Sequence, residues 1–462
     1  MFSYAGEILH VDLTSGRIWK ENLAERLSRQ FIGARGINVK IWWDLVRKPN
    51  IGPLAPENPL IFGTGALTCT TAPSNGRVTV TCKSPLTGLY VKANGGGHWG
   101  AELKFAGYDH LVIHGQSEKP VYLLIEDDHV LLRDASHLWG KDVRETNRVL
   151  KHDIASGVKV ACIGPGGENL VRFASILFSV YNSSSRGGVG AVMGSKRLKA
   201  IATRGTGEID VKEPEEFHKK ASEMRRAFWN DRWGLKYWVF GTGGFSVDDY
   251  GAANNWKFNG YPGSGLVSGQ WMLRKGYFKR RHGCFGCSQS CHRYVELDKG
   301  PYAGTYTCGP EAGTVNWLGL ALGIIDFGTI AKGHDVSDMM GVDIFETGGV
   351  IAWAMECYER GLLTKNDTEG LEVAFGNEEA AIKLISMVAH KAGKMGKLLA
   401  DGVKQAAEKV GTESYKWANF NSKGMSGGEV RVLGTAKRTP YAFAYAVNPR
   451  GPDHLHTEPY PS

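Results

Sequence analysis

Apolar and polar residues alternate from the start of the chain. "GEILHVDLTSGRIWKENL" (6–23) keeps a two-residue period that breaks at Thr14-Ser15-Gly16, which predicts a hairpin. The same period recurs in "RVTVTC" (77–82), "HLVIHG" (110–115), "PVYLLIEDDHVLLRDA" (120–135) and "LKAIATRG" (198–205), with short helical patterns at about 24–32, 98–106 and 141–151. The period changes at "EIDVKEPEEFHKKASEMRRAFW", where Pro214 and two glutamates open an amphipathic helix. Beyond it, "GGVIAWAMECYERGLL" and "EEAAIKLISMVAHKAGKMGKLLADGVKQAAEKVG" repeat apolar residues every three or four positions, with Gly393 and Gly411 as expected helix ends. Residues 241–270, rich in glycine and aromatics, read as a long loop region of the kind that serves a functional site. The pattern predicts an α+β fold: a sheet-rich part over 1–208 and largely helical domains over 209–462.

Composition alters this picture in one respect. The chain is 42% hydrophobic and 22% charged, as ordinary globular proteins are, but 61 of its 462 residues are glycine, so close backbone approaches are expected. No basic head with an apolar stretch opens the chain and no apolar run reaches membrane-spanning length, which leads to the expectation of a cytoplasmic protein without a membrane segment. Fifty-five lysines and arginines against 47 acids give a net charge of +8, yet no long run of like charge marks a nucleic-acid arm. The densest basic patch, "KRRH" (279–282), suits an acidic protein partner or a solvated surface.

That patch runs into "CFGCSQSCHRY". Of eight cysteines only Cys284, Cys287 and Cys291 cluster. In a reducing compartment this spacing fits an iron–sulfur cluster completed by a remote ligand, or zinc completed by His282 or His292; a thioredoxin-like pair leaves the third cysteine unexplained. Three glycine-rich stretches, "NGR" (75–77), "ANGGGHWGAELKFAGYD" (93–109) and "SRGGVGAVMGSKRLKA" (185–200), could bring backbone amides to a phosphate or serve tight packing. Arg186-Gly187-Gly188-x-Gly190 in the last of them is not a dinucleotide fingerprint, since its spacing is wrong and no acid follows at the expected distance. Glu311 in "GPEAG" and His454 in "RGPDHLH" are residue types that move protons, or a helix cap and a surface histidine.

Taken in order, "GEILHVDLTSG", "GARG", "PLAPENPLIFGTGALTCTTAPSNGR", "SPLTGLYVKANGGGHWGAELKFAGYD", "RDASHLWGK", "CIGPGGENLVRFASI", "RGGVGAVMGSKRLKAIA", the cysteine group, "GPEAG", "DMMGVD" and "NPRGPDH" resemble the tungsten-containing aldehyde ferredoxin oxidoreductase family along essentially the whole chain. The resemblance implies an N-terminal sheet base cradling two molybdopterins on tungsten or molybdenum, capped by helical domains. It implies that Asn94, Gly95, Gly96, Ser183, Arg186, Gly187 and Gly188 lie on the pterin phosphates, with magnesium bridging them near Asn94 and Ser183. Arg77 would sit between a pterin and a [4Fe–4S] cluster held by Cys284, Cys287 and Cys291, and Asp338, Gly341, Val342 and Asp343 would form a D-x-x-G-x-D pterin loop. Glu311 and His454 would flank the metal and handle protons.

The implied reaction is oxidation of an aldehyde to a carboxylic acid, with electrons passing through the cluster to ferredoxin or a similar acidic carrier. A homodimer or separate electron-transfer subunits are both compatible with the family, and a sister activity is reductive dearomatisation of an aryl-CoA thioester. From another class, a zinc-stapled basic binding protein would explain the cysteines and charge but not the glycine stretches. Two departures stand out. Ser288 replaces the usual proline after the second cysteine, and the chain stops at "HTEPYPS", short of the segment expected to carry a second pterin loop and the fourth cluster cysteine. Cys308 is the internal substitute.

Overall fold

The computed structural model describes residues 1–48, 50–244, 252–259 and 261–419. Two compact units result: one from Met1–Leu170, Ala174–Leu235 and the short piece Gly283–Ser290, the other from Val171–Phe173, Lys236–His282 and the chain from Cys291 onward.

The first unit holds two six-stranded sheets. One comprises β1 (Glu7–Asp12), β2 (Ile18–Asn22), β3 (Leu60–Thr64), β4 (Val78–Lys83), β5 (Tyr90–Gly95) and β6 (Tyr108–His114), in the order β2-β1-β6-β3-β4-β5. The other comprises β7 (Val121–Glu126), β8 (His129–Asp134), β9 (Lys159–Cys162), β10 (Ile176–Phe178), β11 (Asn182–Ser184) and β12 (Leu198–Arg204), in the order β11-β10-β9-β12-β7-β8. Each sheet is antiparallel except for one parallel pair, β1 with β6 and β12 with β7. The expected hairpins appear as β1–β2 and β7–β8.

Period-two patterning sorts each strand between two cores. Leu9, Val11, Leu123 and Ile125 enter a shared core with Phe62, Trp99 and Phe178, whose rings lie 5.2–6.4 Å apart. Their neighbours turn the other way: Ile8 packs with Ile37 near helices Glu25–Phe31 and Ala34–Leu45, while Tyr122 and Leu124 pack with Leu150 of helix Val143–Asp153. Asp142 caps that last helix by accepting the Glu145 amide at 2.7 Å.

Among the described residues, three lysines are wholly internal. The Lys104 ammonium donates to the Ser3 and Gly65 carbonyls at 2.8 Å each, Lys196 to those of Pro56 (3.1 Å) and Gly115 (2.8 Å), and Lys199 to the Lys141 carbonyl (2.7 Å) and the Glu168 carboxylate. Burial pulls the Lys196 pKa down to about 8. Part of the chain's positive charge is thus internal bracing and not surface available to a partner.

The second unit is mainly helical: Phe327–Met340, Ile344–Glu359, Glu378–His390, Gly393–Leu399 and Val403–Val410. Gly411 follows the last of these as expected, whereas Gly393 begins a helix, the preceding one having ended at left-handed Lys391. A three-stranded antiparallel sheet (Phe278–His282, His292–Glu296, Tyr306–Cys308) accompanies them. The region read as a long loop contains short pieces of structure, including the helical turn Gly241–Gly244 and helix Gly269–Arg274. Among the described residues no single helix is long and apolar enough to cross a membrane.

Candidate active site

In the first unit the edge strands of the two sheets, β5 and β11, come side by side. The contact is made close by missing side chains: a Cβ on Gly95 would fall 2.3 Å from the Phe178 ring, and one on Gly97 3.0 Å from the Asn182 side-chain oxygen. Asn94 pairs with Thr79 across β4–β5, and the Thr79 hydroxyl donates to its side-chain oxygen at 3.1 Å. On the other strand Ser183 belongs to a hydroxyl row, Ser175 to Ser185 and Ser185 to Ser183, each at 2.9 Å. The chain then turns through Arg186, Gly187 and Gly188 with φ of 87°, 70° and 80°, three successive left-handed residues. Ser84 fixes this turn by donating to the Gly187 carbonyl at 2.7 Å.

The cysteine turn Gly283–Ser290 lies against this same region. Its backbone joins the glycine stretches in two places, the Phe285 amide donating to the Gly97 carbonyl (3.0 Å) and the Ser74 amide to the Gly286 carbonyl (2.8 Å). The Phe285 ring seats edge-on against His98 and Phe105. Gly76 is required beneath it, since a Cβ there would fall 2.8 Å from the Phe285 carbonyl oxygen. The sulfur atoms are approached by polar groups: the Asn182 amide stands 3.7 Å from Cys284 Sγ and the Ser74 hydroxyl 3.7 Å from Cys287 Sγ. Burial pushes the Cys284 thiol up; the Gly97 amide opposes this, as do Arg77 and Asn182, while Cys287 adds to it. A thiolate at Cys284 therefore has amide and guanidinium support but calls for further positive charge, which a metal supplies.

All three clustered cysteines stand outside any disulfide and are partly exposed. Cys284 and Cys287 belong to the first unit and Cys291 to the second. Among the described residues no three His, Cys, Asp or Glu side chains gather as a single metal ion would need. The thiols of Cys284 and Cys287, both in the first unit, are donors of the kind an iron–sulfur cluster takes, in which each cysteine binds its own iron. The edge-strand surface also suits a polar ligand: Ser184 Oγ is buried without a hydrogen-bond partner, and Gly96, whose Cβ would fall 2.7 Å from Cys284 Sγ, keeps the backbone open beside the sulfur.

In the second unit Glu311 stands at the N-cap position of the short turn Ala312–Thr314 without capping it. Its carboxylate instead accepts from the Thr242 hydroxyl, whose oxygen accepts the Ala312 amide at 2.9 Å. Arg293, 2% exposed, lies in the electrostatic field of Glu311 and is pinned by the carbonyls of Tyr237 (2.7 Å) and Val239 (3.1 Å).

The 338–343 loop joins two helices. Asp338, 4% exposed, faces His334 Nε2 at 3.2 Å; Gly341 ends helix Phe327–Met340 at φ 70°; the Val342 amide donates to the Ser337 carbonyl at 3.0 Å; and Asp343, fully buried, accepts the Phe345 amide at 2.9 Å and caps the next helix. His454 lies outside the described residues.

The structure thus brings Asn94, Gly95, Gly96, Ser183, Arg186, Gly187, Gly188, Cys284 and Cys287 into one region of the first unit, with Arg77 acting on Cys284. It places Glu311 and the 338–343 loop in the second unit. Sequence reading missed Asn182, Ser74, Thr242, Arg293 and His334. Each acts on a residue tens of positions or more away, His334 on Gly309 and Thr314 among them, and only the local spacing of His334 and Asp338 along a helix could have been noticed.

Residues 8–205 match the family model described as aldehyde ferredoxin oxidoreductase, N-terminal domain, and residues 240–462 that described as aldehyde ferredoxin oxidoreductase, domains 2 & 3. The tungsten-containing aldehyde ferredoxin oxidoreductase of Pyrococcus furiosus is 37% identical over 98% of this chain and 74% of its own length. That of Pyrococcus abyssi is 38% identical over the same shares. Among solved structures, the active site complex BamBC of benzoyl coenzyme A reductase in complex with 1,5 dienoyl-CoA resembles this chain with a TM-score of 0.80 and 31% identity, covering 90% of this chain and 64% of that one. The chain therefore spans about three quarters of those curated relatives and just under two thirds of that solved chain. With family models matching both of its parts and such identity along nearly its whole length, the chain belongs to the aldehyde ferredoxin oxidoreductase family, a family of oxidoreductase enzymes.

Proposed function

We propose that this chain oxidises aldehydes to carboxylic acids at a tungsten bis-molybdopterin and passes the electrons through a [4Fe–4S] cluster to ferredoxin. The observation that carries the reading is the meeting, in one region of the first unit, of the glycine-opened edge strand β5, its neighbour β11 and the cysteine turn. The names of the relatives add the metal, the aldehyde and the carrier.

In this reading Asn94, Gly95, Gly96, Ser183, Arg186, Gly187 and Gly188 hold the pterin phosphates, with magnesium between them, and Asp338, Gly341, Val342 and Asp343 shape a second pterin contact. Cys284, Cys287 and Cys291 hold the cluster, with Arg77 beside it. When bound, the tungsten pterin supplies two-electron redox chemistry and the cluster relays those electrons singly. Oxidising an aldehyde with water to the acid releases two electrons and two protons. Glu311 receives a proton; the Thr242 hydroxyl aims its carboxylate. His454 is the second proton-handling residue of the proposal.

The test is anaerobic purification followed by elemental analysis, pterin extraction and an assay of aldehyde-dependent viologen reduction. Tungsten, about four irons per cluster and aldehyde-dependent turnover are expected. One zinc per chain without tungsten, molybdenum or iron would overturn the reading in favour of a zinc-stapled binding protein. The likeness to the benzoyl coenzyme A reductase complex favours a second reading, an aryl-CoA reductase active-site chain. Viologen reduction driven by a dienoyl-CoA and not by any aldehyde would select it.

A further inference from the structure

Residues 250–295 hold seven lysines and arginines and no aspartate or glutamate, so nearly all of the net charge of +8 falls in this one segment. Two of the seven are engaged elsewhere: Arg293 is buried, and Lys257 pairs with Glu359 at 2.6 Å. The other five, Arg274, Lys275, Lys279, Arg280 and Arg281, are exposed at the end of helix Gly269–Arg274 and along strand Phe278–His282. That strand is an edge of its three-stranded sheet, and its pairing register shifts across Lys279. Lys279 reaches the exposed carboxylate of Asp298 at 2.8 Å. Arg280 instead lies 4.8 Å from the Tyr294 ring centre, and Arg281 lies 3.7 Å from that of Trp238, with its Nε donating to the Trp238 carbonyl at 3.0 Å. Among the described residues neither arginine pairs with a carboxylate, and the rings hold both guanidinium groups in place at the surface. Leu273, 42% exposed, stands next to Arg274 on the same helix.

We propose that this edge strand and the helix end before it are the surface on which a small acidic electron-carrier protein docks. The proposal rests on the reading above, in which electrons leave singly by way of the cysteine turn. The strand runs straight into that turn: Arg280 is four residues from Cys284, at most about 14 Å of extended chain. A carrier held by the arginines therefore stands beside its electron source and gains one electron per encounter. Cations fixed on rings, with an apolar residue among them and no acid to repel the partner, suit a complex that forms fast under charge attraction. Basic residues on an edge strand also keep it from pairing with a second strand. That duty needs charge of either sign. It accounts neither for Arg274 and Lys275, which lie outside the sheet, nor for the lack of any acid over 250–295.

The test uses the full chain with an acidic [4Fe–4S] ferredoxin as probe. Binding is measured by surface plasmon resonance at low and high salt, and aldehyde-driven reduction of the same ferredoxin is compared with that of methyl viologen. Lys275→Glu with Arg280→Glu is set against Lys397→Glu with Lys404→Glu, two exposed lysines on helices of the same unit, so that net charge changes equally. The first pair is expected to weaken ferredoxin binding and raise the ferredoxin KM by about tenfold, and to flatten the salt dependence of both. Viologen turnover and melting temperature stay as in the wild type. The control pair is expected to change none of these. Equal losses from both pairs, or no loss from the first, overturn the proposal. So does loss of coenzyme A binding in place of ferredoxin binding, which would assign the patch to an anionic substrate. Should the first pair not fold, Arg274→Glu with Lys275→Glu decides by the same criteria. A wild type that oxidises no aldehyde sinks the reading of the function, while the binding measurement still decides the docking surface.

Discussion

The α-carbon of Gly96 and the sulfur of Cys284 are so placed that any side chain on the first would run into the second: an added Cβ would lie 2.7 Å from Sγ. The sulfur can yield by swinging about its own Cα–Cβ bond, away from the position in which the turn presents it, and that turn is fastened to Gly97 and wedged against His98 and Phe105.

Gly96→Ala is therefore expected to cost about 1–3 kcal/mol through overpacking and to lower the iron bound per chain. Iron assay and visible absorption, read beside a denaturation curve, check it. Full iron content with unchanged stability would show that Cys284 has room to move.

Glu311→Gln is expected to cut turnover by about 10²–10⁴-fold, the usual worth of a positioned acid or base, while tungsten content stays intact. The Thr242 hydroxyl can still donate to the amide oxygen, so positioning survives and the proton acceptor is lost. Steady-state kinetics with metal analysis decides it.

Lys199→Met removes an ammonium that is wholly buried against Glu168 and the Lys141 carbonyl. It leaves an uncompensated internal carboxylate, for which about 3–5 kcal/mol of destabilisation is expected. The check is the midpoint of denaturant unfolding. Lys199→Met with Glu168→Gln should recover part of the loss.

Acid should destabilise the first unit through its buried histidines. His114, stacked on Trp19 and 3.0 Å from His10, has its pKa pulled down to about 4 by burial first, then by His10 and Lys196. Near neutral pH the ring is neutral in both folded and unfolded chains. Between the ordinary value of 6.5 and about 4 the unfolded chain binds a proton that the folded one refuses, so stability falls as pH drops through that window. Unfolding midpoints measured from pH 7 to 4 should decline less steeply in His114→Phe.

Much of the first unit was legible because its strands carry their own period: the β1–β2 hairpin, β4, β6, the β7–β8 hairpin and β12 follow from local alternation, as does helix Pro214–Asn230 from its proline and acidic first turn. The juxtaposition of β5 with β11 was not legible. It depends on Gly95 yielding to Phe178, and nothing within a few residues of either signals the other. The cysteine group announced itself by spacing, whereas the amide and hydroxyl that approach its sulfurs come from Asn182 and Ser74, more than one hundred and two hundred positions away. The D-x-x-G-x-D loop was visible as a motif, but helix geometry alone reveals that Asp338 turns to His334 and Asp343 to an amide of the next helix.

The cysteine turn completes a body whose other residues end at Leu235. During synthesis the twin sheets can form first, but the Gly97 carbonyl and Ser74 amide must wait for Phe285 and Gly286, which lie well beyond Leu235. The thiols consequently arrive last, on a surface already built, and a polypeptide ended at residue 235 would expose the floor on which they come to rest.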